Sequence, residues 1–223
     1  MTTFVSFDID GTLISLGGGC PGLFKRALLE LFGSAAEEII SKSPRKFIDI
    51  PTCEKIMIRA GIQSNQKAFD DLQRKCEEIF LKETEKHHSA SLPGVENALQ
   101  FLSSKNNVVI GIASNNYESI GWSKIEQANL TRFFPDKIGG FGIIDKKSEL
   151  IEIALSKAKQ LRNIEKFDKC FHVGDTLKDA QSALEIGFTP IVVKTGNETD
   201  FPQNVHVFNQ LDDPGFLNIF RDI

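Results

Sequence analysis

The stretch Val108-Val109-Ile110-Gly111-Ile112-Ala113 has no polar side chain, and that run restricts the fold more than any other feature. A strand wetted on one face alternates apolar with polar residues. A strand apolar throughout must be covered on both faces, as in a parallel sheet sandwiched between helices. The flanking sequence supplies such helices. Helical periodicity covers Val95–Ser104 and Tyr117–Ala128, and a short strand is predicted near Lys137–Phe141. The alternation continues with a helix over Ser148–Leu161, a strand Cys170–Val173, a helix Leu177–Ile186 and strands Thr189–Val193 and Val205–Phe208. Near the start of the chain, Phe4–Ile9 reads as a first strand running into the turn Asp10-Gly11-Thr12. The expected fold class is α/β, a Rossmann-like parallel sheet with helices on both faces.

One stretch breaks the alternation. Residues 15–92 carry only helical patterns, such as Leu23, Ala27, Leu28, Leu31 and Phe32, or Phe69, Leu72, Cys76, Ile79 and Phe80. Gly17-Gly18-Gly19 and Leu92-Pro93-Gly94 bracket it with joint-like chemistry. The expected organisation is a core of residues 1–14 and 93–223 carrying an inserted all-helical domain over 15–92. A chain of 223 residues suits one core plus an insert, and 41 % hydrophobic against 25 % charged residues suits a folded protein.

Twenty-six Lys and Arg against thirty Asp and Glu give a formal charge of -4, without the basic stripe of a nucleic-acid binder. The four cysteines, Cys20, Cys53, Cys76 and Cys170, form no CxxC pair and no zinc-ligand cluster, so reduced thiols are expected. No apolar run approaches the roughly 20 residues a membrane helix needs. A soluble, cytoplasmic protein, monomer or homodimer, is expected. The sequons at Asn129 and Asn197 are then chance matches.

Ligands of open α/β sheets bind at the carboxyl ends of the strands, and the polar residues there are telling. Asp8 and Asp10 stand at the end of the first strand, and because side chains alternate with period two, both carboxylates leave the backbone on the same side. Ser114 and Asn115 follow the apolar run, Lys147 follows the weak strand, and Asp175 and Asp179 follow Cys170–Val173. These markers lie about one strand-helix unit apart, so they can converge. Several carboxylates with one lysine and one hydroxyl would repel one another unless a hard cation joined them. Magnesium takes oxygen ligands and a substrate phosphate, which leaves Lys147 and Ser114 for the non-bridging phosphoryl oxygens. The residues imply phosphoryl chemistry on magnesium.

Asp8-Ile9-Asp10-Gly11-Thr12-Leu13, Ser114-Asn115, Lys147 and Gly174-Asp175-x-x-x-Asp179 resemble the four ordered motifs of the haloacid dehalogenase superfamily, along the whole chain. The insert after the first motif is similar to that superfamily's type 1 helical cap, as in phosphoglycolate-phosphatase-like members. The resemblance implies a phosphatase of a small phosphorylated metabolite, with the cap closing over the site to exclude water and choose the substrate. Asp8 would be the nucleophile, forming an aspartyl-phosphate, and Asp10 the general acid and base. Gly11, Thr12, Ser114, Asn115 and Lys147 would bind phosphate. Magnesium would be held by the Asp8 carboxylate, the Asp10 carbonyl and Asp175, with Asp179 in support. Asp10 argues against carbon-halogen and phosphonate cleavage.

The third motif leaves Lys146 as a second candidate, though the spacing to Ile151 favours Lys147. In the cap, Thr52-Cys53-x-x-Ile56 stands where relatives often carry Thr-Asp-x-x-Ile, so a substrate does not transfer by motif. Two other functions share every core motif: a phosphomutase of the β-phosphoglucomutase kind, and a catalytically silent binding module. Plainer readings apply elsewhere. Thr176 and Asp179 match a helix capping box, and His172 reads as a satisfied core residue. Tyr117 and Trp122 read as packing, and Arg45, Lys46, Arg59 and His87-His88 as solvated.

Overall fold

The computed structural model describes residues 1–15, 22–42, 50–84, 88–196 and 200–221. The Gly17–Gly19 joint, Cys20, Arg45, Lys46, His87 and the Asn197 sequon lie outside the described residues. The elements in chain order are β1 (Thr3–Phe7), α1 (Leu23–Lys42), α2 (Ile50–Arg59), α3 (Gln66–Thr84), α4 (Val95–Ser103), β2 (Val108–Ser114) and α5 (Glu118–Gln127). They continue with β3 (Gly139–Phe141), α6 (Lys147–Arg162), β4 (Lys169–Gly174), α7 (Leu177–Glu185), β5 (Thr189–Val193), β6 (His206–Phe208) and α8 (Pro214–Ile219). The six strands form one sheet in the order β3-β2-β1-β4-β5-β6, with every pair parallel. The α/β class expected from the apolar run is what the chain adopts.

Period-two alternation sends each strand's side chains to two different helical layers. Val5 and Phe7 of β1, Ile112 of β2, Val173 of β4 and Ile191 and Val193 of β5 join a core with Val95 and Leu99 of α4, Ile125 of α5 and Phe216 of α8. On the opposite parity, Phe4 stacks near Phe167 and Phe188, and Val192 packs with Ala180 of α7. Each fully buried aliphatic or aromatic side chain contributes roughly 1.5–3 kcal/mol relative to exposure, so both layers are needed to hold the strands apolar on two sides.

The chain divides into two compact units. One comprises Met1–Gly18, Ser89–Gly142 and Lys146–Ile223, and contains the sheet. The other comprises Gly19–His88 with Ile143–Asp145, and contains α1 to α3. Inside the helical unit Leu28, Cys53, Ile56, Met57, Leu72, Cys76 and Phe80 are buried. Leu31 and Phe32 are only half-buried, and Gly33 beside them leaves helical geometry and kinks α1. Arg59 is half exposed and pairs with Glu38.

Several boundaries differ from expectation. β1 stops at Phe7 rather than Ile9. The Ile9 carbonyl accepts hydrogen bonds from Leu13 and Ile14 at 2.9 and 3.0 Å, and the chain curls through Gly11 at φ 80°. The strand period therefore covers Asp8 but not Asp10. α8 lies outside the elements that periodicity predicts: six residues are too few to show a helical period, although Asp213 caps it and Pro214 opens it. Cys53 and Cys76 are buried and Cys170 is half-buried. Among the described residues no helix is long and apolar enough to cross a membrane.

Candidate active site

Asp8 follows β1 directly, and its N–H donates to the Val173 carbonyl at 2.9 Å. That bond carries the ladder one residue past the strand and presents the carboxylate at the C-terminal edge, on the parity of Phe4 and Ser6. Lys147 opens α6, where the helix dipole disfavours a cation unless an anion faces it. Two anions do. Lys147 Nζ lies 2.8 Å from Asp8 Oδ2 and also contacts Asp179 Oδ1, with 4 % of the lysine side chain exposed. Lys146 is exposed and lies 3.9 Å from Glu185. Of the two candidates, Lys147 is the lysine brought to Asp8.

Asp179 is held from several sides. Thr176 and Asp179 form the reciprocal capping box of α7, with Thr176 N–H donating to Asp179 Oδ2 at 3.0 Å. His172 Nε2 lies 3.3 Å from Asp179 Oδ1, and His172 Nδ1 lies 2.9 Å from Ser6 Oγ. His172 is a satisfied core residue, and one whose partner belongs to the site.

Asp175 lies between glycines. A Cβ on Gly11 would stand 2.3 Å from Asp175 Oδ2, and one on Gly196 would stand 2.1 Å from it. Thr12 Oγ1 donates to Asp175 Oδ1 at 3.4 Å. Asp8, Asp175 and Asp179 each bring a ligand oxygen within 4.8 Å of the others. Burial and the neighbouring Asp8 and Asp179 charges push Asp175 up to about 7. Burial also raises Asp8, with Asp179 and Asp10 adding to it and Lys147 opposing. Burial works against both Asp179 and Lys147. Yet Lys147 and His172 hold Asp179 well below the carboxylate range, and Asp179 and Asp8 hold Lys147 above its usual value. Three crowded carboxylates against one lysine leave excess negative charge, and oxygen-only donors of this kind suit a hard divalent cation. Asp179 already serves Lys147, His172 and Thr176, so Asp8 and Asp175 keep the most donor capacity.

Asp10 stands apart from that trio. Lys124 Nζ donates to both of its carboxylate oxygens at 2.8 Å, and Asn116 Nδ2 donates to Oδ2 at 2.8 Å. Asn116 Nδ2 also reaches Ser114 Oγ at 2.9 Å, which ties Ser114, buried at the end of β2, to the same group. Asn115 Nδ2 donates instead to the Gly142 carbonyl at 3.2 Å. The structure thus brings together Asp8, Lys147, Asp175 and Asp179, and links Asp10 to Ser114. Gly11 and Thr12 lie against Asp175. Lys124 and Asn116 escaped the sequence reading. The available signal was that Lys124 falls on the face of α5 that also buries Ile120, Gly121 and Ile125.

No curated protein sequence matches the chain. Among solved structures, CbbY from Rhodobacter sphaeroides in complex with phosphate superposes with a TM-score of 0.65 at 16 % identity, over 98 % of this chain and 100 % of that one. A predicted phosphoglycolate phosphatase from Haemophilus somnus gives 0.60 at 14 % identity, over 99 % and 98 % of the two chains. A HAD hydrolase of family IA, variant 3, from Entamoeba histolytica gives 0.65 at 16 %, over 97 % of each. At such identities the likeness is one of fold. Residues 5–193 match the family model described as haloacid dehalogenase-like hydrolase, and the chain belongs to that family.

Proposed function

We propose that the chain is a magnesium-dependent phosphatase of small phosphorylated metabolites, with the helical unit as its cap. The observation that carries this reading is the Asp8 carboxylate, set at the edge of the central strand 2.8 Å from a buried lysine and grouped with two further acids. Asp8 attacks phosphorus, and the bond from phosphorus to the leaving oxygen breaks. Asp10 gives that oxygen its proton. The ionised Asp10 then takes a proton from water, which attacks the phosphorus of the aspartyl-phosphate, releases phosphate and restores Asp8.

Lys147 and Ser114 hold the non-bridging oxygens, where charge is greatest in the transferring phosphoryl group. Asp179 holds Lys147. The Asp8 carboxylate, the Asp10 carbonyl and Asp175 would hold magnesium, which when bound supplies positive charge to the phosphoryl oxygens and offsets the repulsion among the acids. CbbY, similar in fold, has been crystallised with phosphate and, as a variant, with xylulose-(1,5)bisphosphate, which supports a phosphorylated small molecule as substrate. The test is a panel of phosphorylated metabolites incubated with enzyme and magnesium, read for inorganic phosphate and for phosphate moved within the substrate. Free phosphate supports hydrolysis, whereas a positional isomer without free phosphate would replace the phosphatase by a mutase. Neither product from any member of the panel would favour a silent binding module.

A further inference from the structure

Lys124 occupies a core-facing position on α5, between Gly121 and Ile125, where an amphipathic helix calls for an apolar residue. All three hydrogens of its ammonium have acceptors: two go to the Asp10 oxygens at 2.8 Å and one to Asn116 Oδ1 at 3.0 Å. Asn116 in turn donates to Asp10. The Asp10 carboxylate thus accepts three hydrogen bonds from two side chains that the proposed chemistry does not use.

Asp10 needs outside support, because β1 ends at Phe7 and the backbone turns immediately afterwards through Gly11. α5 is a firm platform for that support. Trp122 packs edge-on against Phe134 and Phe141, and Gly121 lies so close to Phe141 that a Cβ there would stand 2.5 Å from the ring. The lysine side chain is 10 % exposed against 28 % for the aspartate, so the lysine is the buried end of the pair and the aspartate the more accessible one.

We infer that Lys124 is a positioning residue for proton transfer by Asp10: its ammonium, with the Asn116 amide, sets the orientation of the carboxylate toward the leaving oxygen. This rests on the reading of Asp10 as general acid and base. A positioned acid contributes about 10²–10⁴-fold, and only where the leaving group needs the proton.

The test compares phenyl phosphate with p-nitrophenyl phosphate. The two are alike in shape, but phenol is the weaker acid and its oxygen depends on protonation, while nitrophenolate leaves without it. Lys124→Met is expected to lower kcat about 10²-fold on phenyl phosphate and less than about 10-fold on p-nitrophenyl phosphate, with KM moved by less than about 3-fold. Lys124→Arg should recover part of the loss. Asp10→Asn should show the same skew between substrates, more strongly. If Lys124→Met does not fold, Asn116→Ala removes one of the same donors and should show the skew at smaller amplitude. Equal losses on both substrates, or a change confined to KM, in a folded Lys124 or Asn116 variant while Asp10→Asn shows the skew would overturn the positioning role alone. No skew in Asp10→Asn, or no turnover by the wild type, would overturn the reading beneath it as well.

Discussion

The Lys147 ammonium lies 2.8 Å from the Asp8 carboxylate, with 4 % and 13 % of the two side chains exposed. A nucleophilic carboxylate must be ionised, and burial opposes that at Asp8. Lys147 is the group that pulls the other way. The same ammonium holds Asp179, so one lysine links the proposed nucleophile, just after the central strand, to the first turn of α7.

Removing that lysine should therefore cost both stability and catalysis. Lys147→Met leaves two buried carboxylates without their cation, and losing one partner of a buried pair costs roughly 3–5 kcal/mol. Phosphatase activity should fall by at least about 10³-fold, the size expected for losing a preorganised charge at the phosphoryl group. Lys146→Ala, one residue away and exposed, should stay within about 0.5 kcal/mol of wild type. Urea unfolding and kcat/KM of the two variants check this, and similar losses in both would contradict the assignment.

Asp175 makes stability depend on pH with a definite sign. Its pKa in the folded protein is about 7, above the roughly 3.9 of an unfolded chain. The native state thus keeps a proton that the unfolded state has already lost in that window, and the contribution to stability falls as pH rises through it. In EDTA, Asp175→Asn should match wild type near pH 4 and melt roughly 3–8 °C higher near pH 8. Magnesium at pH 8 should raise the wild-type midpoint and leave that of the variant nearly unmoved. A melting difference that does not vary with pH would contradict the account.

Gly11→Ala separates backbone strain from damage to the site. Gly11 and Gly187 both have positive φ, at 80° and 74°, which costs a side chain roughly 1–2 kcal/mol. A Cβ at Gly187 meets nothing within 4 Å, whereas at Gly11 it meets the Asp175 carboxylate. Both alanine variants should lose stability, and only Gly11→Ala should also lose at least about 10-fold in kcat/KM, because it displaces Asp175. Comparable activity in the two would mean that Asp175 tolerates displacement.

Much of this arrangement could be read from the chain because a parallel sheet collects every strand's exit at one edge. Asp8, Ser114 and Asp175 each stand at the end of a mainly apolar strand segment, so finding the strands found the residues. The double role of Asp179 was visible as a capping pattern plus a motif. Lys124 was hidden because a lysine beside Ser123, Glu126 and Gln127 reads as solvated, although it falls on the helix face of Ile120, Gly121 and Ile125. Asn115 and Asn116 are indistinguishable by type, and loop geometry rather than any period sends the second to Asp10 and the first to Gly142. The early end of β1 was hidden for a similar reason. Ile9 is apolar and fully buried like a strand residue, while its carbonyl serves a turn.

Release of phosphate from p-nitrophenyl phosphate by the purified protein, with magnesium or with EDTA, compared between wild type and Asp8→Asn, tests the central claim most directly. The account predicts turnover by the wild type only with magnesium, and at least about a 10³-fold loss in Asp8→Asn, whose amide cannot form the aspartyl-phosphate. Turnover that survives in Asp8→Asn, or that proceeds equally in EDTA, would contradict it.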